Sequence, residues 1–410
     1  MPFSDPSAIG TAVSLRDAAA QSRQWLFEAA APLWSAPVEG ATFLFPERLS
    51  IHGERESCPH RLFVQARHIF SFCEMGRLGW TGPWREMVEK SIDFLLREGR
   101  RPDGFYIHKF DDSGAPLDFR ADLYDQAFML LALAHSGRAT GRDDLFAAAE
   151  ALDDALDANW RLPHGGYYEG EIAECPPYQQ NPHMHLLESF IALHLVTGAP
   201  RWRRKAEHIA GLCGQFFIDP ASGALTEYFD AALKPLPGVE GKIVEPGHCC
   251  EWAWLFETLE RWNVPDAARI STQLVGFVRQ YGVDPQRGVA INEVTADGAI
   301  RNADARLWPQ TERLKAALAR LRRTGETQER AEALAALAAL TKYFNTPKRG
   351  AWRDKLRADG SWVEEPAPGS SFYHITCALA ELCDAAATEM NGEPEQPSRP
   401  RQPQGYNRLR

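Results

Sequence analysis

Residues 245–254 read Glu-Pro-Gly-His-Cys-Cys-Glu-Trp-Ala-Trp. Pro246 suits the first position of a helix, where its fixed φ fits the turn and its missing N–H is no loss. His248 then falls in the first turn, with Glu251 one turn on and on the same face. A titratable pair at the mouth of a Trp-rich, mostly apolar helix points to acid–base chemistry more than to packing. A second stretch, Ser371-Phe372-Tyr373-His374, opens another apolar helix in the same way. Histidine titrates close to neutrality, so two of them facing one ligand could serve as acid and base.

The elements that must bring them together are helical. Periodicity predicts helices over 14–34, 59–78, 82–100, 122–140, 142–160, 181–197, 200–217, 246–262, 265–281, 309–324, 327–344 and 371–388. Asp122 and Asn181 read as N-caps, and Pro59, Pro182, Pro246 and Pro309 fall near a first helical position. One polar residue near the start of each even-numbered helix recurs as Arg61, Tyr124, His185, His248, Gln310 and His374, at intervals of 61 to 64. A Gly-led segment precedes each of these helices, at Gly40, Gly104, Gly166, Gly223, Gly288 and Gly350. Six helix pairs at a period near 62 residues make a repeat architecture whose neighbours bury one another.

The two helix sets differ in character. Odd helices are amphipathic, as in 142–156, with a charged face for solvent; even helices are apolar nearly all round, as in Phe128-Met-Leu-Leu-Ala-Leu-Ala. Six inner helices ringed by six outer ones give an all-α fold, a closed (α/α)6 barrel, in preference to an open solenoid. Residues 1–390 are read as that single domain. Residues 391–410, rich in Pro, Gln and Arg, read as a disordered tail.

Composition sets limits on partners. The 410 residues are 44% hydrophobic and 24% charged, with net charge −10, which argues against nucleic acid and anionic membrane. No apolar run reaches the ~20 residues of a membrane span, and Met-Pro-Phe-Ser-Asp-Pro at the start has no basic n-region and no apolar run, so secretion is not expected. Eight scattered cysteines without a Cys-x-x-Cys pair suit a reducing cytoplasm. A homodimer is left open.

If the inner helices run parallel, their N-termini share one pocket. It collects Arg61 to Arg67, Asp122 to Gln126, Asn181 to Glu188, residues 245–254, Arg306 to Glu312 and Ser371 to His374. Arg, His, Glu, Asn, Gln, Tyr and Trp together suit a polyhydroxylated neutral ligand, with aromatic faces on C–H surfaces and polar groups on hydroxyls. No phosphate loop or dinucleotide fingerprint stands out, so no cofactor is expected. His183-x-His185, His248-x-x-Glu251 and Cys249 lack an established zinc spacing, so no metal is expected either.

Duller readings apply to several of these residues. His68, His164 and His208 read as surface or satisfied histidines, His183 as minor, Asp125 as locally paired, and Trp252 and Trp254 as core. Asn181, His185 and Glu188 share one face, so His185 belongs to the site. Arg61 and Arg67 point in different directions around their helix, so one of them is structural.

With the repeat and motifs in view, the chain resembles the N-acylglucosamine 2-epimerase family from about residue 14 to 388. The motifs are Arg-Leu-Phe-Val-Gln-Ala-Arg (61–67), Leu-Tyr-Asp-Gln-Ala-Phe (123–128), Asn-Pro-His-Met-His-Leu-Leu-Glu (181–188), Pro-Gly-His-Cys-Cys-Glu-Trp-Ala-Trp (246–254), Leu-Trp-Pro-Gln-Thr-Glu (307–312) and Phe-Tyr-His (372–374). The resemblance implies the (α/α)6 barrel, chemistry without metal, and His248 and His374 as the acid/base pair with Arg61 and Glu251 beside them. It implies that Tyr124, His185, Glu188, Trp308 and Gln310 contact the sugar; Asn181 and Glu312 complete the expected substrate-binding set. Pro309 departs from the more aromatic epimerase pattern and weighs against an N-acyl sugar or a disaccharide.

The expected reaction is proton transfer at C2 of an open-chain sugar. His374 takes the C2 proton, His248 opens the ring and works from the opposite side with Glu251 orienting it, and Arg61 stabilises the enediolate. Proton return to C1 gives aldose–ketose isomerisation, D-mannose to D-fructose by overall similarity; return to C2 gives a 2-epimerase. A glycoside hydrolase is the other reading, with Asp125, Glu188, Glu251 and Glu312 as candidate carboxylates.

Overall fold

The computed structural model describes residues 14–35, 43–172 and 177–391. Helix α1 (Leu15–Trp25) continues through one wide π-type turn into α2 (Ala31–Trp34). There follow α3 (Leu62–Leu78), α4 (Trp84–Glu98), α5 (Leu123–Thr140), α6 (Asp143–Asn159), α7 (Gln180–Thr197) and α8 (Pro200–Leu212). The chain ends with α9 (Pro246–Glu260), α10 (Ala267–Phe277), α11 (Leu307–Thr324), α12 (Thr327–Thr341) and α13 (Ser370–Asn391). The tail expected from 391 lies outside the described residues past the end of α13, and Gly40 also falls outside them.

Helices α3, α5, α7, α9, α11 and α13 pack neighbour on neighbour, and α13 returns onto α3, so the ring is closed. Each is enclosed on all sides. In α5 every residue from Ala127 to Ala134 is buried, which explains the lack of a polar face in its sequence. The outer helices bury one stripe only; α6 buries Leu145, Ala149, Leu152 and Leu156 and leaves its other faces to solvent.

The hairpins run from an inner helix to the outer helix after it. Helix α4 packs on α3, α6 on α5, α8 on α7, α10 on α9 and α12 on α11, while α1 packs on α13 and completes the last hairpin. Connection length explains this pairing, because short links make antiparallel neighbours. Inner helices lead outward through tight turns such as Gly141, a left-handed residue at φ 77°. The returns are long and carry short paired strands around the rim at the inner N-termini. His60–Arg61 pairs with Lys109–Phe110, and Ala305–Arg306 with Lys355–Leu356. Arg48–Leu49 pairs with Ala367–Pro368, closing the rim as well as the ring.

Helix entries are secured by side chains. Asp122 caps α5, accepting from the backbone N–H of Tyr124 at 2.8 Å and Asp125 at 3.3 Å. Asn181, expected to cap, instead lies inside α7, which begins one residue earlier. Three glutamines clamp the returning chain. Gln65 binds both backbone groups of Phe45 (2.7 and 3.2 Å), Gln126 those of Tyr106 (2.8 and 3.0 Å), and Gln310 those of Ala290 (2.8 and 2.8 Å). A carboxamide carries one acceptor and two donors, so it satisfies a buried backbone N–H and C=O at once. Gln310 is therefore a structural clamp enclosed in the wall, not the sugar contact that the sequence suggested.

Candidate active site

The clamps set the register of the ring. Two residues before each clamp, at Phe63, Tyr124 and Trp308, a side chain lines a cavity of about 230 Å³ among the inner N-termini. Asn181 lines it two residues before His183, whose Nε2 accepts from the Tyr167 backbone N–H at 3.0 Å. Gly247 and Ser370 complete this mouth layer. Gly247 has a steric reason, since a Cβ there would lie 2.5 Å from the Trp308 ring. One turn deeper on the same faces come Arg67, Phe128, His185, Glu251, Glu312 and His374. A floor lies beneath them, with Phe70, Leu131, Glu188, Trp254, Lys315 and Cys377.

Arg67 takes the place expected for Arg61. Its guanidinium lines the cavity, donates to the Tyr124 hydroxyl at 2.6 Å and the Ser370 carbonyl at 3.2 Å, and lies 4.2 Å from the Phe128 ring centre. Arg61 does not line the cavity. It precedes α3, its Nε donates to Glu47 at 2.5 Å, and its side chain is one-third exposed. The physical reason is helical phase: Arg67 follows Phe63 by four residues and shares its inward face.

His248 and His374 both lie against Trp308, with ring centres 4.8 and 5.6 Å from it. Each has a carboxylate at Nδ1. His374 donates to Glu312 at 2.8 Å and His248 to Glu227 at 3.0 Å, with Glu245 at 3.9 Å. His185 repeats the pattern with Glu188 at 3.1 Å. Because a carboxylate accepts, Nδ1 carries the proton and Nε2 is the ring nitrogen left for a ligand. The expected pairing of His248 with Glu251 does not form a hydrogen bond. Glu227, which replaces it, reaches in from the return segment before α9 and also receives the Gln180 amide at 2.8 Å.

Their electrostatics diverge. Burial alone lowers the pKa of His248, but Glu227 and Glu245 overcome it and lift the ring to about 9. Burial lowers His374 to about 3; Glu312 opposes that, while Arg67 and Lys315 add to it. Burial also raises Glu251, reinforced by Glu312 and opposed by Lys315. Near neutrality the site thus holds one charged and one neutral histidine against the same indole.

The other expected residues divide into lining and supporting groups. Tyr124, Asn181, His185, Trp308, His248, His374 and Glu251 line the cavity. Asn181 Oδ1 is buried without a hydrogen-bond partner, as is Glu251 Oε1. Glu188 and Glu312 do not line it; they stand behind, Glu188 receiving the Tyr373 hydroxyl and Glu312 paired with Lys315 at 2.7 Å. Glu245 and Arg306 stand at the starts of motifs that the sequence placed in the pocket, though without a role; Glu227 and Lys315 were missed. Lys315 left a trace, as a charge three residues after Glu312 on an inner helix.

Three sets of donors lie close enough to hold an ion: His185, Glu188 and Glu251; Glu227, Glu245 and His248; Glu251, Glu312 and His374. In each, the histidine Nδ1 already serves a carboxylate of the same set. An ion bound there through Nδ1 would displace that hydrogen bond.

The buried histidines carry a prediction about stability. Burial holds His68 at about 3 and His183 and His185 at about 4, beside His374 at about 3. The unfolded chain binds protons at these rings from ~6.5 downward, while the folded chain does not until pH 3–4, so stability falls with pH across that window. Glu169 and Glu251, raised to about 8 by burial, act in the opposite sense over the same range. The histidine share is therefore read by difference: His68→Phe is expected to make the unfolding midpoint fall less between pH 7 and pH 5 than in the wild type, and an unchanged dependence would contradict neutral burial.

Known proteins resemble the chain in sequence and in fold. The sequence model of the family described as N-acylglucosamine 2-epimerase (GlcNAc 2-epimerase) matches residues 45–378. The chain is 40% identical over 369 residues to a mannose-6-phosphate isomerase of Rhizobium meliloti (strain 1021), covering 88% of this chain and 95% of that one. It is 29% identical over 330 residues to a D-mannose isomerase of Pseudomonas cannabina pv. alisalensis, covering 70% and 75%. The cellobiose 2-epimerase of Bacillus thermoamylovorans B4167 shares the fold, at TM-score 0.80 and 16% identity over 89% of this chain and 98% of that one. None of the helices among the described residues is long and apolar enough to cross a membrane.

Proposed function

The chain belongs to the N-acylglucosamine 2-epimerase family of sugar isomerases and epimerases, and from that premise we propose that it isomerises D-mannose to D-fructose. The observation that carries this reading is the pair of histidines against Trp308, each with a carboxylate at Nδ1, where Glu227 and Glu245 raise the pKa of His248 and burial lowers that of His374. Charged His248 donates a proton to the ring oxygen and then, as the neutral ring, takes the anomeric hydroxyl proton, so the hemiacetal opens to the aldehyde and His248 regains its charge. Neutral His374 takes the C2 proton through Nε2. Negative charge then develops on the enediolate oxygens, where the Arg67 guanidinium stabilises it. Delivery of that proton to C1, with the O2 hydroxyl proton passed to O1 by way of His248, completes the ketose.

Binding groups fit the same reading. Trp308 offers a face for C–H surface, Asn181 Oδ1 an unspent acceptor, and Glu251, kept protonated by burial, a donor for a hydroxyl. The cavity of about 230 Å³ falls below the ~300–1,000 Å³ of drug-sized sites, which favours a monosaccharide over a disaccharide. Hydrolysis has less support, because Asp125 is committed to His108 at 2.6 Å and Glu188 and Glu312 stand behind the cavity wall.

A second reading is supported by Arg306. This guanidinium lines the mouth, is 37% exposed, pairs with Glu245 at 3.4 Å and lies 5.5 Å from the Trp308 ring centre, a position from which it can meet an anion on C6. The Rhizobium meliloti relative's name points the same way. Incubating D-mannose and its 6-phosphate separately in deuterated water, with proton NMR of the products, tests both. Deuterated fructose from the free sugar supports the first reading, and turnover of the phosphate alone supports the second. Deuterium incorporated at C2 of glucose, without fructose, would mean epimerisation, and no exchange from either sugar would overturn the proposal.

A further inference from the structure

Lys315 lies in the floor with no part in the proton transfers just described. Its side chain is fully enclosed, with Nζ 2.7 Å from Glu312, 4.0 Å from Glu251 and 3.7 Å from the centre of the Trp254 ring. An ammonium sealed from water is costly even when paired, and apolar residues of similar volume often replace such pairs without loss of stability. Its retention here is better explained by what the charge acts on.

Glu312 connects it to the base. One carboxylate oxygen takes the His374 Nδ1–H at 2.8 Å and lies 3.2 Å from the Thr311 hydroxyl; the other faces the Lys315 ammonium. Every partner in this line is buried, so few other arrangements of the carboxylate are open to it. We propose that Lys315 is a positioning residue for C2 proton transfer: it anchors Glu312 against Nδ1 of His374, leaving Nε2 bare toward the sugar, and opposes a second positive charge on that ring. The role rests on the assignment of His374 as the base.

The charged and titratable groups around His374 favour that arrangement. Arg67 faces it from α3, Glu251 from α9, and Glu312 and Lys315 from α11, while Tyr373 and Cys377 accompany it on α13. Two cations oppose protonation, one carboxylate favours it, and burial adds to the cations. His248 is surrounded differently, with Glu227 and Glu245 nearest. Near-identical rings thus receive opposite charges from their second neighbours, and Lys315 belongs to one of them alone.

Substituting Lys315→Met tests this. NMR titration of the His374 ring should show it neutral to the acid limit of the folded wild type. In the variant its pKa should rise by about one to two pH units, the scale for loss of a nearby unit charge in a protein interior. The acid limb of kcat/KM should move up with it, and kcat should fall about tenfold or more with KM little changed. An unmoved His374 titration and an unmoved acid limb would overturn the proposal, whereas a purely structural lysine would lower the melting temperature alone. If that variant does not fold, the neutral pair Glu312→Gln with Lys315→Met replaces it, and wild-type kcat in the folded pair would also overturn the role. The ring titration requires no substrate, so it stands or fails independently of which sugar is turned over.

Discussion

Replacing His374 with asparagine is expected to lower exchange of the C2 proton about 10²–10⁴-fold, the range that a positioned general base contributes. Asparagine keeps a donor near Glu312 but offers no basic nitrogen to the sugar. Sugar affinity should change little, because Trp308, Asn181 and Arg67 remain. Replacing His248 should instead impair ring opening, so the two variants are expected to differ on a substrate that is already open. The pH dependence separates them further. With His248 at about 9 and His374 at about 3, kcat/KM should hold across neutrality and fall as pH rises through about 9, when the acid loses its proton. Exchange by His374→Asn at the wild-type rate would remove it as the base.

The second large effect separates two arginines that lie six residues apart. Arg67→Ala is expected to lower kcat about 10²–10³-fold, as loss of a charge-stabilising donor in an enclosed site does. Arg61→Ala should leave kcat close to wild type and cost about 1–3 kcal/mol of stability, because it strips a buried Glu47 of one partner. Steady-state kinetics and thermal unfolding of the two variants check this directly. The opposite result, with Arg61 needed for turnover and Arg67 dispensable, would displace the enediolate site from the described cavity.

Much of the architecture was legible because it is written in local periodicity. Helix boundaries matched to within a few residues, and the contrast between apolar and amphipathic helices separated ring from shell. The site was legible less evenly. Aligning Tyr124, His248 and Gln310 as equivalent positions placed Gln310 in the pocket, whereas the folded register makes Trp308 the counterpart of Tyr124 and Gln310 that of Gln126. The repeat glycine slipped likewise: Gly165, at φ 92°, and not Gly166, is the left-handed residue of its turn. A period of about 62 residues tolerates shifts of one or two, yet such a shift turns a helical side chain by 100–200°.

The amino-acid sequence by itself determined the closed ring, the shared pocket at the helix mouths and the two histidines that enter it. These depend on turns, caps and hydrophobic stripes, which act within one or two helical turns. The tertiary structure alone decided which group serves which histidine. Glu312 reaches His374 from 62 residues away, Glu227 reaches His248 from a separate return segment, and Arg67 finds the Ser370 carbonyl across 303 residues. Such pairings leave no local pattern, because they are set by where closure brings the backbone. The charge state of each histidine depends on those pairings, so it belongs to the fold.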